Sequence, residues 1–531
     1  MYTTILLSLG GAAFGSPSGS IDLGVSADVA MSGGIYGAGL GDQFGHAMTT
    51  GDLNGDGHPD LVASAVGMDM VHVFFGPITG HPNVANADAT YQGSPGGEAG
   101  WAIAVGDLTD DGQDDLVVSE PSNLGGAGEV YVIAGPLAGG GTYYDSAHPS
   151  VVYTFEGKAG PRPWFAAWDM AIGDFDEDGK QDLALGVCEP RYEGPMGVDP
   201  INRGVGLVAL ISQTNMTAGT RQPLFTGSTS LIWGIGFTGC SIDNAGDTNG
   251  DGIEDLVVGS WRLSGAVPGM PNIQSFGAAS VIEGRESWAP TIEMATYFEP
   301  NLALRTLPGI YHLIGPDLQG FNLGRSVSPA GDVNGDGYDD VLLGAPALDR
   351  APGTLTPTST PSSAYLVYGA PDANGLRGSS LVEDVYGARF DATHATHLGI
   401  DTSFVDDLDG DGSPELLLGG LLGEGYLFAG VHDPTFQPTY SCAGSGNCTV
   451  NLPATGGLQG IFALSAATAT FSGANAASAA GSPGNFAGRV FVGAPDLTGA
   501  GAPTLMIGAP AQARFVTAPN GAGWVYLVEG N

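Results

Sequence analysis

The stretch that decides the fold is Asp52-Leu-Asn-Gly-Asp-Gly-His-Pro-Asp60, which is followed directly by the apolar run LVASAV. The same order of acidic residues and glycines, again followed by an aliphatic run, starts at Asp107, Asp174, Asp247, Asp332 and Asp407. A seventh copy, Asp496–Thr504, has lost most of its acidic residues. Successive copies start 55 to 89 residues apart, so the loop is constant while the connections vary in length. A fixed unit repeated in this way predicts a repeat architecture rather than several unrelated domains.

Each copy is flanked by the same kinds of segment. A short half-apolar stretch precedes the loop, often with an aromatic residue beside a glycine, as in Phe44-Gly45 and Gly100-Trp101. The aliphatic run after the loop is typical of a strand that is buried on both faces. A second, alternating strand follows at 70–76, 128–135, 204–211, 277–284, 363–371, 424–430 and 523–530. No segment has a helical period, so the pattern predicts an all-β protein with roughly four strands in each unit.

A single four-stranded unit cannot bury both faces of its sheet, so neighbouring units must stack, and seven of them can close into a ring. The prediction is one seven-bladed β-propeller over residues 35–531. An open β-solenoid is the alternative, but its repeats are shorter and more regular. Residues 1–34 are set apart as an N-terminal segment, either an atypical signal remnant or a closing strand, because the apolar start lacks the basic residues of a signal peptide.

The charge of the chain limits its partners. Its net charge is −41, from 56 acidic and 15 basic side chains, which argues against nucleic acid and against an anionic membrane surface. No run of about 18 apolar residues occurs, so no transmembrane helix is expected. The six intact loops hold 20 of the 56 acidic side chains at repeated positions, which favours metal ligands over general surface acidity.

The loops have the side chains that calcium requires. Calcium takes about six to eight oxygen ligands, and the loops offer oxygen side chains at positions 1, 3, 5 and 9, with a backbone carbonyl expected from position 7. Glycine at position 6 allows the sharp turn. The predicted ligands in loops 1 to 3 are Asp52, Asn54, Asp56, His58 and Asp60; Asp107, Thr109, Asp111, Gln113 and Asp115; and Asp174, Asp176, Asp178, Lys180 and Asp182. Those in loops 4 to 6 are Asp247, Asn249, Asp251, Ile253 and Asp255; Asp332, Asn334, Asp336, Tyr338 and Asp340; and Asp407, Asp409, Asp411, Ser413 and Glu415.

The side chains also predict an order of affinity among about six calcium sites. Loops 3 and 6 offer four carboxylates each and are expected to bind most tightly, whereas Thr109 is expected to make loop 2 the weakest. Loop 7 has Ala500 and Thr504 where carboxylates are needed, so no ion is expected there. Turns without a metal favour the same residue types, but six copies in register, each before a buried strand, favour metal binding. An EF-hand is excluded because no flanking helices are present.

These units resemble FG-GAP repeats, which are found in the N-terminal propeller of integrin α chains and in many bacterial secreted proteins. The resemblance rests on Phe44-Gly45, the six acidic loops, Gly344-Ala-Pro346 after loop 5, and Gly493-Ala-Pro495 and Gly508-Ala-Pro510 in the eroded repeat. It covers roughly residues 35–531. It implies a propeller fold and calcium binding, and more weakly an adhesive role.

The cysteines and one tryptophan pair carry weaker signals. Cys442 and Cys448 lie six residues apart in a turn-rich stretch and are favoured as a disulfide, which points to an oxidising compartment. Cys188 and Cys240 can pair only if neighbouring elements bring them together. Residues 162–168 hold two tryptophans and an arginine that could stack on a sugar, but packing in a blade core is favoured.

The preferred function is an extracellular or cell-surface binding or adhesion module. If the calcium loops join the first two strands of each blade, they share one face, and the long connections 187–204, 260–276 and 345–363 lie on the other. Loops held by a rigid scaffold often carry binding, so a protein or glycan partner is expected there. No catalytic motif is found, so an enzyme is not expected. A structural subunit of a surface layer or filament, and a propeller hydrolase or lyase, are the alternatives; the oligomeric state is left open.

Overall fold

The structure of the chain is a computed structural model. It describes residues 19–22, 29–32, 42–80, 82–123, 127–157, 167–188, 193–194, 197–198, 205–224, 229–263, 265–267, 270–273, 276–296, 303–304, 307–316, 321–347, 361–371, 375–392, 397–420, 424–443, 446–472, 490–509 and 524–529. These residues form seven sheets, the blades, each with four antiparallel strands, and each acidic loop joins the first strand of a blade to the second. The predicted seven-bladed β-propeller is confirmed.

The first two strands of each blade lie at either end of an acidic loop. The first, or inner, strands are Phe44–Gly51, Ile103–Gly106, Asp169–Gly173, Ile242–Gly246, Val327–Gly331, Asp401–Val405 and Val490–Ala494. The second strands are Asp60–Ala65, Asp115–Glu120, Asp182–Val187, Asp255–Gly259, Asp340–Ala345, Glu415–Gly419 and Thr504–Ala509. Every residue of the second strand is buried in blades 1 to 6, as the aliphatic runs predict.

The third and fourth strands complete each blade. The third strands are Met70–Phe74, Glu129–Ile133, Val205–Ile211, Ala278–Ile282, Ser362–Val367, Glu424–Phe428 and Trp524–Glu529. They lie within the segments predicted to alternate, except that Ser362 precedes the predicted start at 363. The fourth strands are Ala89–Gln92, Val151–Glu156, Ser230–Ile235, Ile310–Ile314, Ala388–Ala392, Ala469–Ser472 and Val29–Ser32. Val29–Ser32, which lies in the N-terminal segment 1–34, pairs with Trp524–Glu529 and so joins blade 7.

A fifth strand, which the sequence pattern does not predict, lies parallel to the fourth in blades 1 to 6. The fifth strands are Thr142–Tyr144, Arg221–Pro223, Thr291–Glu293, Gly378–Leu381, Gly460–Ala463 and Gly19–Asp22. In blades 1 to 5 it comes from the connection between the third and fourth strands of the next blade. Blades 2 to 6 thus each cover the outer edge of the preceding blade, which protects an otherwise unpaired strand.

The remaining short elements lie in the connections. They are the strand pairs Glu193–Gly194 with Gly197–Val198, Gly265–Val267 with Met270–Ile273, Ala295–Thr296 with Ala303–Leu304, and Thr439–Ala443 with Gly446–Asn451; the helix Val382–Val385; and the 3₁₀ turns Val66–Met68, Val84–Asn86, Gln213–Asn215 and Leu464–Ala466. Nowhere in the described part of the chain is there a helix long and apolar enough to cross a membrane.

The ring closes through contacts between inner strands. Each inner strand touches the inner strand of the next blade, and that of blade 7 touches that of blade 1. The buried side chains form a separate apolar cluster at each junction between blades. The cluster between blades 7 and 1, for example, brings Met31 and Val525 together with Phe44 and Leu61. Burying one such side chain contributes about 1.5–3 kcal/mol, so these clusters are the main attraction between blades.

Both cysteine pairs are disulfides. Cys442–Cys448 closes the strand pair Thr439–Ala443 with Gly446–Asn451, as favoured by the sequence. Cys188 follows the second strand of blade 3, and Cys240 precedes the inner strand of blade 4. Their bond therefore connects two neighbouring blades, which is the juxtaposition that the sequence alone left open.

Candidate metal centres

The shape of the acidic loops is set by their first and sixth residues. In loop 1, the Oδ2 atom of Asp52 accepts the N–H of Gly57 at 2.8 Å. The glycine at position 6 donates to the position-1 aspartate in all seven loops, and its φ lies between 82° and 93° each time. This left-handed conformation is one that glycine adopts without strain. Loop 7 keeps the turn through Asp496 and Gly501 although its other acidic residues are gone, so the turn itself does not require them.

The residue at position 9 is buried and ties three strands together. In loop 1, Asp60 is fully buried; one carboxylate oxygen accepts the N–H of Leu53 at 2.9 Å, and the other accepts the N–H of Gly76, beyond the third strand, at 2.9 Å. The contact with the position-2 amide recurs in loops 2, 4, 5 and 6. The contact beyond the third strand recurs in loops 2 to 5. Position 9 is thus an anchor of the blade as well as a candidate ligand.

Burial disfavours a charge on these position-9 carboxylates. It raises the pKa of Asp60, Asp182 and Asp255 to about 7 and the pKa of Glu415 to about 8. The pKa of Asp115 rises to about 6, and that of Asp340 rises well above its usual value, for the same reason. A dication beside such a group offsets the cost of burying its negative charge. The loops are therefore electrostatically suited to a cation.

Loops 3 and 6 bring three carboxylates closest together. The ligand oxygens of Asp174, Asp176 and Asp182 lie within 4.8 Å of one another, and so do those of loop 6. Within the described residues, Asp182 Oδ2 is buried without a hydrogen-bond partner. In loop 6 the same is true of Oδ1 of Asp407, Oγ of Ser413 and Oε1 of Glu415. Buried oxygens rarely lack a partner, so these atoms fit coordination of an ion.

The residue at position 3 distinguishes the other loops from these two. In loops 1, 4 and 5 an asparagine donates its amide N–H to the position-5 aspartate, at 3.0, 3.2 and 3.2 Å. In loop 2, Oγ1 of Thr109 lies 3.4 Å from Oδ1 of Asp115. A neutral group at position 3 lowers the negative charge of the loop, whereas Asp176 and Asp409 add to it. The predicted order of affinity and the individual ligand assignments, including the position-7 carbonyls, stay predictions.

The donor set of the loops is oxygen only. Hard cations such as calcium and magnesium prefer carboxylate and carbonyl oxygens, and calcium tolerates irregular arrangements of them. All predicted ligand residues lie in the described part of the chain, each in a turn between an inner and a second strand. The loops follow the inner strands in every blade, so they lie together on one face of the ring.

On the opposite face, the structure brings together residues that the sequence analysis did not connect. The ring of His46 lies 4.9 Å from that of Trp101, and the ring of Trp101 lies 4.7 Å from that of Trp168. These three residues lie at or near the start of the inner strands of blades 1, 2 and 3. Arg325 lies at the same place in blade 5, two residues before the inner strand Val327–Gly331. Three of the four directly follow a glycine before or within the inner strand, so alignment of the repeats could have identified them.

A group of charged residues lies beside this aromatic row. Burial raises the pKa of Asp169 to about 7. Burial, together with Asp169 and Asp401, raises the pKa of Asp243 well above its usual value. Burial also lowers the pKa of Arg325, which is opposed by the charges of Asp401 and Asp169. The inner strands of blades 3 and 6 thus bring Asp169 and Asp401 close both to Arg325 of blade 5 and to Asp243 of blade 4.

Of the three residues in the predicted sugar-stacking group, only Trp168 lies within the described residues. Trp168 contacts Trp101, but Arg162 and Trp164 lie outside the described residues. The predicted partner-binding connections 187–204, 260–276 and 345–363 are the links between second and third strands, as expected from the topology. They too fall partly outside the described residues. Two of them contain short strand pairs, at 193–198 and 265–273.

The fold and the loops define a class: a seven-bladed β-propeller with acidic turns between the first two strands of its blades. The sequence pattern of the FG-GAP repeat matches residues 44–67, 99–133 and 323–360. The chain thus contains stretches that match the FG-GAP repeat, and part of it is similar to integrin α chains.

Relatives of known name match parts of the chain. Phosphatidylinositol-glycan-specific phospholipase D of Homo sapiens is 27% identical over 412 residues, which cover 71% of this chain and 43% of that protein. The same protein of Mus musculus is 32% identical over 159 residues, 27% of this chain and 18% of that protein. Integrin alpha-5 of Xenopus laevis is 23% identical over 256 residues, 48% of this chain and 20% of that protein. The chain thus spans less than half the length of each of these relatives.

Among solved structures, the crystal structure of BBS1N in complex with ARL6DN, soaked with mercury, aligns over 82% of this chain and 100% of that chain. The TM-score is 0.36 and the sequence identity is 12%. A TM-score of this size does not establish a shared arrangement of blades.

Proposed function

We propose that this chain is a calcium-binding β-propeller that acts as a binding or adhesion module, for a protein or glycan partner, outside the cell or at its surface. The observation that carries the calcium part is the set of buried oxygens without hydrogen-bond partners among the described residues of loops 3 and 6. They belong to carboxylates and one hydroxyl, which suit calcium better than metals that prefer nitrogen or sulfur.

Calcium would stabilise each blade rather than take part in a reaction. The position-9 carboxylate touches the loop and the end of the third strand, so an ion bound to it would link parts of a blade that are distant in sequence. Binding to the folded state alone stabilises it by mass action, by about 2.7 kcal/mol per site at a calcium concentration 100 times the dissociation constant.

The partner would bind on the face opposite the calcium loops. That face has the long connections between second and third strands, and it has the partly exposed aromatic row of His46, Trp101 and Trp168. Partly exposed aromatic residues on a rigid scaffold are common in binding sites for proteins and sugars.

Two observations support an extracellular or cell-surface location. Both cysteine pairs form disulfides, which persist in oxidising compartments. Calcium loops with several carboxylates also suit a compartment in which calcium is abundant. Similarity to integrin α chains agrees with an adhesive role, although it covers only part of those proteins.

We expect no catalytic activity from this chain, although some of its relatives are named as phospholipases. The similarity covers at most 43% of the phospholipase D sequences compared above, so the activity of the whole relative is not transferred. A structural subunit of a surface layer remains the second candidate. Calcium-induced assembly, followed by light scattering, would favour that candidate over a monomeric binding module.

The calcium proposal is tested by counting bound ions in equilibrium dialysis and by thermal unfolding in calcium and in EGTA. About six ions and a lower melting temperature in EGTA are expected; one or no bound ion would refute it.

The binding proposal is tested on a panel of immobilised glycans and purified extracellular proteins. Trp101→Ala should abolish binding to whichever member is retained, whereas Lys180→Ala on the calcium face should not. The assignment to this face would be refuted if two variants still bound that panel member: Trp101→Ala, and a variant in which short turns replace the three long connections.

A further inference from the structure

Neighbouring calcium loops touch each other through the residue at position 8. The Oε2 atom of Glu254, at position 8 of loop 4, accepts the backbone N–H of Asp174, at position 1 of loop 3, at 2.7 Å. Asp114 of loop 2 accepts the N–H of Asp52 of loop 1 at 2.8 Å. Asp339 of loop 5 accepts the N–H of Asp247 of loop 4 at 2.9 Å. The same contact therefore occurs at three junctions, between residues 62 to 92 positions apart.

The position-8 side chains lie very close to the residue that precedes position 1 of the neighbouring loop. At Gly51, Gly173 and Gly246, a Cβ atom would collide with the carboxylate of Asp114, Glu254 and Asp339 respectively. At Gly106, before loop 2, it would collide with Oε1 of Gln181, the position-8 residue of loop 3. A side chain at any of these four positions would therefore meet the position-8 side chain of the next loop, and at Gly51 it would also meet Val105.

The other three junctions lack this contact because position 8 is proline: Pro59, Pro414 and Pro503 in loops 1, 6 and 7. Proline has no side-chain acceptor. Loop 6, which faces Pro503, is preceded by Asp406, and loop 7, which faces Pro59, is preceded by Pro495. Loop 5, which faces Pro414, is preceded by Gly331. A different contact is present at both kinds of junction. Leu137 donates its N–H to the carbonyl of Leu53 at 2.6 Å, and Ile78 donates to that of Leu497 at 2.7 Å. This backbone contact thus occurs with and without the position-8 contact, which is additional to it.

Position 8 is placed to connect two metal sites. In its own loop it stands between the expected carbonyl ligand at position 7 and the carboxylate ligand at position 9. Its side chain fixes the backbone of position 1 in the preceding loop, and the carboxylate of that residue is a predicted ligand. Ordering of one site by calcium would therefore restrict the motion of a ligand in the next. Residues that orient metal ligands in this way commonly change metal affinity about 10- to 100-fold when they are removed.

We propose that Asp114, Glu254 and Asp339, with Gln181 in the same place, are positioning residues that couple calcium binding among loops 1 to 5, while loop 6 binds independently. The inference rests on the proposed calcium function. Loops 3 and 6 make a matched pair for testing it. Each has four carboxylates. The next loop along the chain has Glu254 at position 8 in the case of loop 3, but Pro503 in the case of loop 6.

The experiment measures calcium affinity of the full-length chain by competition with a chromophoric chelator. The wild-type protein should show two tight ions, one each in loops 3 and 6. Glu254→Ala should leave one tight ion and weaken the other about tenfold. Glu254→Gln keeps an acceptor oxygen and should restore part of the affinity. Pro503→Ala, at the matching position next to loop 6, should leave both ions tight.

Thermal unfolding in EGTA separates positioning from a general structural role. If Glu254→Ala lowers the melting temperature in EGTA but retains two tight ions, the residue is structural only and the proposal fails. If Glu254→Ala does not fold, Asp339→Ala takes its place, because Asp339 makes the same contact with loop 4. Calcium affinity in loop 4 identical to that of the wild-type chain would then overturn the coupling. A wild-type chain that binds one or no ion would instead refute the calcium function itself, so the two failures are distinguishable.

Reciprocity gives a second readout. Disabling loop 4 with Asp251→Ala should weaken calcium binding in loop 3 when Glu254 is present, because coupling between two sites acts in both directions. The same change in a Glu254→Ala background should have no further effect on loop 3. An equal effect of Asp251→Ala in both backgrounds would show that Glu254 does not transmit it.

Discussion

Met31 lies opposite Val525 in an antiparallel strand pair, so residues near the start of the chain complete the blade formed by its last described residues. Met31 is fully buried and packs in the cluster between blades 7 and 1. Gly19–Asp22 also comes from near the start of the chain and pairs in parallel with Ala469–Ser472 of blade 6. The ring is therefore closed by contacts between the two ends of the described chain.

Truncation of Met31 is expected to weaken this closure. Met31→Ala should reduce the free energy of unfolding by about 2–5 kcal/mol, because it leaves a cavity in a packed cluster. Denaturant unfolding followed by tryptophan fluorescence measures the change. Tyr143→Ala is the control, since Tyr143 is 68% exposed on a fifth strand and its loss should change stability by about 0.5 kcal/mol or less. Equal effects of the two substitutions would contradict closure through Met31.

The two disulfides should contribute unequally. Cys188–Cys240 encloses 52 residues and joins two blades, whereas Cys442–Cys448 encloses six within one strand pair. Closing the longer loop restricts the unfolded chain more, by about 2 kcal/mol on the chain-entropy scale. Replacing Cys188 and Cys240 by serine should therefore lower the midpoint of denaturant unfolding more than replacing Cys442 and Cys448. A larger loss from the second pair would show that native-state contacts, rather than loop length, dominate.

Loop 2 should be convertible into a tighter site. Thr109→Asp gives it a fourth carboxylate at position 3, as in loops 3 and 6, and is expected to raise its calcium affinity roughly tenfold, because affinity follows ligand charge. Calcium titration of the variant against wild type measures this. The corresponding change in loop 7, Thr498→Asp, should add no ion, because Ala500 and Thr504 still lack carboxylates. An extra ion in Thr498→Asp would mean that position 3 and Asp496 suffice.

The buried acids on the opposite face predict how stability depends on pH. The pKa of Asp169 is about 7 in the folded chain, and that of Asp243 is also raised from its usual value of 3.8. The folded state therefore binds these protons more tightly than the unfolded state does. Their contribution favours folding as pH falls from about 7 towards 4, and it is lost as pH rises through about 7.

Asp243→Asn should test this sign. The groups facing Asp243 are Asp169, Asp401 and, through them, Arg325, so the substitution removes one of three neighbouring negative charges. At about pH 8 the variant should melt on the order of 2–4 °C above wild type, while at about pH 5 the difference should be smaller. Thermal unfolding at both pH values, at fixed calcium, measures the difference. A variant that is less stable at pH 8 would show that the Asp243 charge is needed by Arg325.

Much of the fold follows from the sequence because its signals are local. The loop at Asp52–Asp60 and the buried run after it recur in register, and this recurrence predicts the number of blades and which strands are buried. The fifth strands are not predicted, since segments such as Thr142–Tyr144 and Arg221–Pro223 have no apolar pattern and are held by pairing with another blade. The aromatic row of His46, Trp101 and Trp168 is also missed, because each residue alone reads as core packing.

The sequence by itself determined what lies within nine consecutive residues: the turn, its glycine, and the oxygens offered to a metal. Those features depend on backbone conformation and on spacing along the chain, which are local properties. Only the tertiary structure decided the Cys188–Cys240 bond, the closure by Met31, and the contact of Glu254 with Asp174. Each joins residues that are far apart in sequence, and their approach depends on how twisted blades stack and close into a ring.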